Sequence, residues 1–414
     1  MAVFSQKSSC QYCGKNPVPH FVNWYFETLN VLLAPVRKIL LHNFLARAFK
    51  KIGNIFWLAC FRAGQLIGLI RLRVEAGKCK VPRAKVLWEE AQKRGILMSE
   101  LLLFNRPLDI YVASSSLGEK NSELIFSGLP RPENYDDRIL ETMDDKAIMK
   151  DLFRSKDLPI AQGGPVWNFW QAKKIFQDIQ NISLASFLGK SEQSVIRPVI
   201  VKPRLGSRGR HSTTYIYTEA DLKKAFKIAK QLCFWVMVEE MLEGPVYRAT
   251  VINYKLAGVL RGDPPTVTGD GAHTISELIE IKNRMPHEGV KDIIIDAAME
   301  MFLSRQNLNL LSIIKKDEVV NLSEKVGVSY GGSSSEDFNI CHPDNKELFV
   351  RAAKIVGDPI VGFDFIIPDI AVSYKKQSCG FIEANSLPFI NLHHDPLHGS
   401  PRNVAAAIWD MMRM

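Results

Sequence analysis

Between residues 21 and 75 apolar and basic blocks alternate, and in VLLAPVRKILLHNFLARAFKKIGNIFWLACFRAGQLIGLIRLR the apolar positions recur three and four apart, which predicts helices. The most apolar piece, NIFWLACFRAGQLIGLI, is interrupted by Arg62 and Gln65. It falls short of the roughly 20 uninterrupted residues that a membrane span requires. Two readings stay open for this region: a helical hairpin packed on the main body, or a basic amphipathic element lying on a membrane surface. From about residue 76 the texture changes to alternating helix and strand. RAKVLWEEAQKRGI has helical spacing, LDIYVAS and ELIFSGLP read as strands, and PENYDDRILETMDDKAIMKDLFRSKDLP returns to helix before a proline stop. After Pro159 the mixture continues, with VIRPVIVKP a strand, EADLKKAFKIAKQL a helix and CFWVMVEEML a strand. VYRATVINYKLAGVLRGD predicts a hairpin, VGFDFIIPD and GFIEANS two more strands, and RNVAAAIWDMM a last helix. There is no internal repeat, and the one short biased tract is SYGGSSSED at 329–337.

Composition narrows the picture. The 414 residues, 46% apolar and 23% charged, give room for two or three globular domains with real cores. A net charge of +9 favours an acidic partner: nucleic acid, an anionic membrane, or a small molecule bearing phosphate or carboxylate. The basic runs lack the interleaved aromatics of a single-strand platform and any recognised reading motif, so nucleic acid is not expected. Seven cysteines spread thinly through a large chain point to reduced, intracellular usage. Cys10, Cys13 and His20, in CQYCGKNPVPH, form half of a zinc knuckle with no second CxxC or HxxxH to complete four ligands; the bland alternative is a pair of ordinary thiols on a terminal tail. The first residues carry no secretory signal, and the expected location is cytoplasmic, with peripheral contact at the inner membrane face left open.

Three stretches carry candidate chemistry. In PVIVKPRLGSRGRH a strand delivers Lys202 at its end and runs into a loop holding Gly206, Ser207, Arg208 and Gly209. A fixed cation beside mobile backbone N–H donors can close over phosphates, although a basic surface hairpin with turn glycines has the same composition. It is not a Walker A sequence. In VGFDFIIPD, Asp364 interrupts an apolar strand, and in GFIEANS the side chains of Glu383 and Asn385, two apart, must share a face. Three oxygen-bearing side chains on neighbouring strands suit a hard cation such as Mg²⁺. VMVEEMLEGP ends an apolar strand in Glu239 and Glu240 and leaves through a Gly-Pro turn, as a segment linking two lobes would. His393 and His394, in NLHHDPLHG, read as turn residues that could line a site.

In this order the pieces resemble the ATP-grasp superfamily, and in particular the ATP-grasp region of cyanophycin synthetases. The resemblance covers roughly residues 140–414 and rests on DDKAIMK, VIVKPRLGSRGR, VMVEEMLEGPVYRATVI, TVTGDGAHTISELIEIKN, VGFDFIIPD and FIEANSLPFINLHHDPLHGSPRNVAAAIWDM. It implies an α/β (α+β) ATP-grasp fold with a small amino-terminal α/β lobe. The expected organisation is a basic, apolar helical segment at 1–75, an α/β lobe at 76–145, a lid subdomain at 146–240 and a carboxy-terminal subdomain with the metal site at 241–414. By the same resemblance Lys146 and Lys202 reach the phosphates of ATP, and Gly206, Ser207, Arg208 and Gly209 form the lid. Glu239 and Met241 form the hinge against adenine and Glu243 contacts the ribose. Asp364, Glu383 and Asn385 hold Mg²⁺, with Mn²⁺ as a substitute, and Arg248 faces the acceptor carboxylate or the transferred phosphoryl group. The implied activity is ATP-dependent ligation of a small carboxylate to an amine, amino-acid or peptide-like, with Lys202 and Arg248 as catalytic groups. A kinase on the same fold and a non-catalytic adaptor are the alternatives, and a homo-oligomer is left open.

The likeness has its departures. Cyanophycin synthetases continue into a Mur-ligase-like domain, whereas this sequence stops at Met414, so a complete cyanophycin synthetase is not expected. VNLSEKVGVSYGGSSSED differs from the usual segment while keeping the pair Gly331 and Gly332, which predicts a different substrate or a plain surface loop. The first 75 residues have no counterpart.

Overall fold

The computed structural model describes residues 10, 12–13, 18–40, 61, 63–115, 123–132, 135, 139–140, 143, 145–187, 197–206, 209–285 and 289–414. The first helix, α1 (His20–Leu40), docks by its amino-terminal end: Asn23 Nδ2 donates to the Leu232 carbonyl at 3.0 Å, and Trp24 meets Phe234 edge-on at 6.2 Å. Packing on the body is therefore what the start of the 21–75 region does. Most of the second half of the expected hairpin lies outside the described residues. No described helix is long and apolar enough to cross a membrane.

The amino-terminal lobe is an antiparallel meander of β1 (Ile70–Arg73), β2 (Ile96–Leu103), β3 (Arg106–Ser115) and β4 (Glu123–Ser127), with α2 (Pro82–Lys93) packed on it. Its first strand begins inside the stretch expected to be purely helical. IRLR alternates apolar and basic residues with period two, and its backbone pairs with β2, so the boundary at 76 moves forward.

The helix α3 (Lys146–Arg154) opens the expected lid range but does not belong to the lid core. Its Met149 and Phe153 are buried with Phe363 and Phe381 of the large sheet. The lid proper is a four-stranded sheet of β5 (Gly163–Val166), β6 (Val199–Pro203), β7 (Thr213–Ile216) and β8 (Val236–Glu240), in the order β5-β8-β6-β7. Helices α4 (Phe169–Phe187) and α5 (Glu219–Lys230) cover one face of it.

The carboxy-terminal sheet begins with β9 (Val246–Ile252) and β10 (Lys255–Asp263) and resumes at β13 (Ser333–Glu336). Between β10 and β13 the chain makes a satellite with its own small core: the ribbon β11 (Thr266–Thr268) and β12 (Val319–Asn321), with helices α6 (Ile275–Asn283) and α7 (Ala297–Arg305). The remaining strands are β13 (Ser333–Glu336), β14 (Ile360–Ile366), β15 (Gly380–Asn385) and β16 (His398–Gly399), in the order β15-β14-β9-β10-β13-β16. Alternation sorts their side chains. Tyr247, Ala249 and Val251 of β9 and Val361, Phe363 and Phe365 of β14 enter one core with Phe349 of α8 (Pro343–Val356). The aromatic centre of that core, Phe349, Phe363, Phe365 and Phe381, packs mainly edge-to-face. On the opposite face Ile252 and Ile360 pack against the amino-terminal lobe together with α9 (Val404–Met412), whose Trp409 Nε1 donates to the Leu87 carbonyl at 2.9 Å. The lobe covers only one end of that face. The other end carries the polar residues.

Candidate active site

In β6 the residues Val199 and Val201 enter the lid core, so Ile200 and Lys202 face the other way; in β8, Val236 and Val238 enter the core, so Met237 and Glu239 face the same side as Lys202. The register pairs Ile200 with Glu239 and Lys202 with Met237, which sets Lys202 and Glu239 on a short diagonal. Lys202 Nζ lies 2.8 Å from Glu239, and Lys150, one turn after Lys146 on α3, lies 2.5 Å from its other oxygen. All three side chains are buried. Burial alone would raise the Glu239 carboxyl, but the ammonium groups of Lys202 and Lys150 outweigh it and hold it at about 2. Burial, reinforced by Lys202, pulls Lys150 down to about 8.

The Glu239 side chain is the counter-ion of two lysines, so any part it takes in the expected hinge against adenine falls to its backbone. The strand β8 ends at Glu240. There the Glu240 amide donates to the Gln162 carbonyl at 2.9 Å and the Met241 amide to the Pro198 carbonyl at 2.9 Å. Met241 is half-buried and Glu243 exposed just beyond.

Lys146 is held at the start of α3 by Asp145, whose side chain caps the helix by accepting from the amides of Ala147 and Ile148. Arg204, just past β6, forks onto the same carboxylate at 2.7–3.0 Å. The root of the glycine loop is thereby pinned to the helix that carries Lys146, and Lys146 Nζ donates to the Gly206 carbonyl at 2.5 Å. Gly206 and Gly209 have φ of +109° and +61°, and a Cβ at either would meet nothing within 4 Å. Both positions need glycine for their backbone rather than for want of space. Ser207 and Arg208 lie outside the described residues.

On the large sheet, the register sets Glu383 of β15, Asp364 of β14 and Arg248 of β9 in one row across neighbouring strands, all on the face away from the aromatic core. Asn385 stands one pleat along, opposite Gly362 and Thr250. A bulge after Asp364 in the β14–β15 pairing locally reshapes this edge. Arg248 forks onto Asp364 at 2.9 and 3.1 Å and lies over the Phe389 ring at 5.2 Å. Its guanidinium is held above its ordinary range because the attraction of Asp364 outweighs burial. Expected to face an acceptor, Arg248 here closes the carboxylate row. Burial raises the Glu383 carboxyl, the neighbouring Asp364 charge raises it further, and Lys146, at 3.9 Å, opposes both. Two acidic groups crowded together, with Asn385 one pleat along to offer its amide oxygen, form a donor set suited to a hard divalent cation.

Three groups escaped sequence reasoning. Lys150 could have been found from the i, i+4 spacing of lysines in DDKAIMK, which puts both on one helix face. The Asp145–Arg204 fork joins residues 59 apart and leaves no local signal. The third is the network around His393, expected in a turn but fully buried within a short helix at Asn391–His394. Its Nδ1 contacts Glu336 at 2.6 Å and its Nε2 contacts the Thr250 hydroxyl at 2.8 Å, while the other Glu336 oxygen accepts from the Val259 amide at 2.8 Å. His394 accepts from the Ala405 amide at 3.2 Å. The paired glycines of the divergent segment have a steric reason: a Cβ on Gly332 would sit 2.1 Å from the Asp263 carbonyl oxygen.

No family model matches the chain. Among curated proteins it is 30% identical over 334 residues to the glutathione biosynthesis bifunctional protein GshAB of Clostridium perfringens, an alignment covering 79% of this chain and 40% of that protein. It is 31% identical over 281 residues to cyanophycin synthetase of Crocosphaera subtropica, covering 66% of this chain and 30% of that protein. The chain thus spans well under half the length of these relatives. Among solved structures, a bifunctional glutathione synthetase from Pasteurella multocida is similar with a TM-score of 0.54 and 24% identity, over 80% of this chain and 43% of that one. The fold is that of ATP-grasp ligases, and the likeness to cyanophycin synthetases read from the motifs holds.

Proposed function

We propose that this chain is an ATP-dependent carboxylate–amine ligase that joins an acid to an amine through an acylphosphate and releases ADP and phosphate. The observation that carries the reading is the opposition of two charged surfaces. The row Glu383, Asp364 and Arg248 on the large sheet lies beside Lys146, which also contacts the lid at Gly206. ATP between them would have Lys146 and Lys202 at its phosphates and the glycine loop above, with the segment after β8 beside the base. Asp364, Glu383 and Asn385 would hold Mg²⁺ or Mn²⁺, which when bound neutralises phosphate charge and orients the γ-phosphoryl group.

The chemistry asked of the chain is mostly positioning. A substrate carboxylate attacks the γ-phosphorus and ADP leaves. The amine then attacks the acyl carbon, phosphate leaves, and an amide remains. Negative charge on the transferring group is met by Lys146, Lys202 and Arg248. Closure of the glycine loop excludes water that would hydrolyse the acylphosphate. The relatives' names suggest amino-acid or peptide-like substrates, and the Gly331–Gly332 segment is where this chain would differ in its acceptor.

The test incubates purified protein with Mg·ATP and pools of amino acids, small peptides and polyamines, following ADP against AMP and any adduct by mass spectrometry. ADP formation that needs both an acid and an amine, with a product lighter than its parts by water, is expected, and Glu383→Gln should abolish it while leaving circular dichroism unchanged. A stable phosphorylated product would replace the ligase by a kinase. Unimpaired turnover in Glu383→Gln would refute the metal assignment.

A further inference from the structure

The amino-terminal Cys-x-x-Cys finds its missing partner 200 residues away. Cys10, Cys13, His20 and His211 converge so that one ligand atom from each lies within 4.8 Å of all the others. Cys13 Sγ is 3.3 Å from His20 Nε2 and 3.4 Å from His211 Nε2, and Cys10 Sγ is 3.5 Å from His211 Nε2. Across a tetrahedron with Zn–S near 2.3 Å and Zn–N near 2.0–2.1 Å, a sulfur and a nitrogen stand about 3.6 Å apart. The observed spacings fit ligands around one ion. We propose that these four residues form a structural Cys₂His₂ zinc site that clamps the amino-terminal segment onto the lid.

Four further observations support it. Cys13 and His211 are buried, and both thiols are free rather than joined. His211 Nδ1 lies 2.8 Å from the Ile228 carbonyl of α5, so that nitrogen carries the proton and Nε2 presents its lone pair to the cluster, the arrangement metal-bound histidines adopt. The His211 amide donates to the Tyr12 carbonyl at 3.1 Å and the Cys13 amide to the Cys10 carbonyl at 3.1 Å, which folds the Cys-x-x-Cys turn directly onto the turn between the glycine loop and β7. His211 holds φ at +52°, a conformation with a cost for a histidine that the surroundings must repay. Two thiolates with two imidazoles select a borderline-soft ion such as zinc over magnesium or calcium, and two thiolates balance its charge. The site is distinct from the carboxylate row, and its ligands share no residue with it.

The geometry has a mechanical consequence. His211 comes two residues after Gly209, so the clamp fixes the far root of the glycine loop as the Arg204–Asp145 fork fixes the near one. The test is metal analysis of the full chain by inductively coupled plasma mass spectrometry, with one zinc per chain expected. His211→Asn and Cys10→Ser should each lower that content several-fold. A wild-type chain stripped by chelator and titrated with Co²⁺ should develop the visible d–d bands of tetrahedral cobalt together with thiolate charge-transfer absorption. This readout requires no variant to fold and no turnover. Full zinc occupancy in both variants, absence of both zinc and the cobalt spectrum in the wild type, or Cys10 and Cys13 found joined as a disulfide would each overturn the proposal.

Discussion

Replacing Glu239 by Gln keeps the shape of the side chain beneath the two lysines and deletes its charge. The wild-type carboxyl sits at about 2 where an ordinary glutamate sits near 4.5, a difference worth about 3 kcal/mol in favour of the folded state at neutral pH. The same figure follows from leaving Lys150 and Lys202 without a counter-ion in the interior, which costs about 3–5 kcal/mol. Because the folded-state value is depressed, this stabilisation is complete above the unfolded value and is lost as pH falls through the folded one. Linkage with those two values gives about 3 kcal/mol near pH 7 and only about 1 kcal/mol near pH 3. Urea denaturation followed by tryptophan fluorescence, with Trp235 immediately before β8 as a local reporter, should show Glu239→Gln weaker than wild type by the larger amount at neutral pH. The gap should narrow on acidification. A gap that is the same at both pH values, or below about 1 kcal/mol at neutrality, would show that the triad does not act as an ion cluster.

Lys202→Ala removes one of the two ammonium groups proposed to meet the phosphates, while Lys150 still neutralises Glu239. A charge-assisted contact of about 1.5–3 kcal/mol predicts ATP affinity weaker by roughly 10- to 100-fold in isothermal titration, and unchanged affinity would contradict the phosphate role. His393→Leu would leave the Glu336 carboxylate and the Thr250 hydroxyl facing an apolar side chain. Stability should fall by about 3 kcal/mol in denaturant titration, and a loss under about 1 kcal/mol would mean that the network is not sealed. The Glu383→Gln and zinc experiments test the two metal sites independently, since one variant leaves the other site's ligands intact.

Much of this architecture was legible because it is written in period two. VIVKP, VMVEE, VGFDFII and GFIEAN each show which residues must share a face, and the sheet register then turns Asp364, Glu383 and Asn385 from three letters into one cluster. What stayed hidden was long-range or competitive. IRLR reads as the tail of a basic helix until β2 offers it a partner. Glu239 and Met241 looked alike as hinge residues, yet alternation sends the Glu239 side chain inward, where only the fold shows Lys150 waiting on another element. His211 carries no metal signature in its own neighbourhood, because its partners enter from residues 10–20.

The described arrangement also explains how such a site tolerates its own charge before any ligand enters. Asp364 is neutralised by Arg248, Glu383 is approached by Lys146, and Glu239 is shared by Lys150 and Lys202. Each of these three acids is matched to a base, and unpaired charge is avoided where burial would make it costly. A nucleotide with its cation would exchange these pairings rather than add to them: phosphate for carboxylate at the lysines, and cation for Lys146 and Arg248 at Glu383 and Asp364. Arg248 released from Asp364 would be free to reach a transferring phosphoryl group, the role proposed for it above. The pairings differ in how readily they yield. Lys146 approaches Glu383 only at 3.9 Å, and its own ammonium is lowered by burial, with the neighbouring Lys202 adding to the effect. The bidentate Arg248–Asp364 fork is the stronger contact, so of the two pairings it would be the harder to exchange.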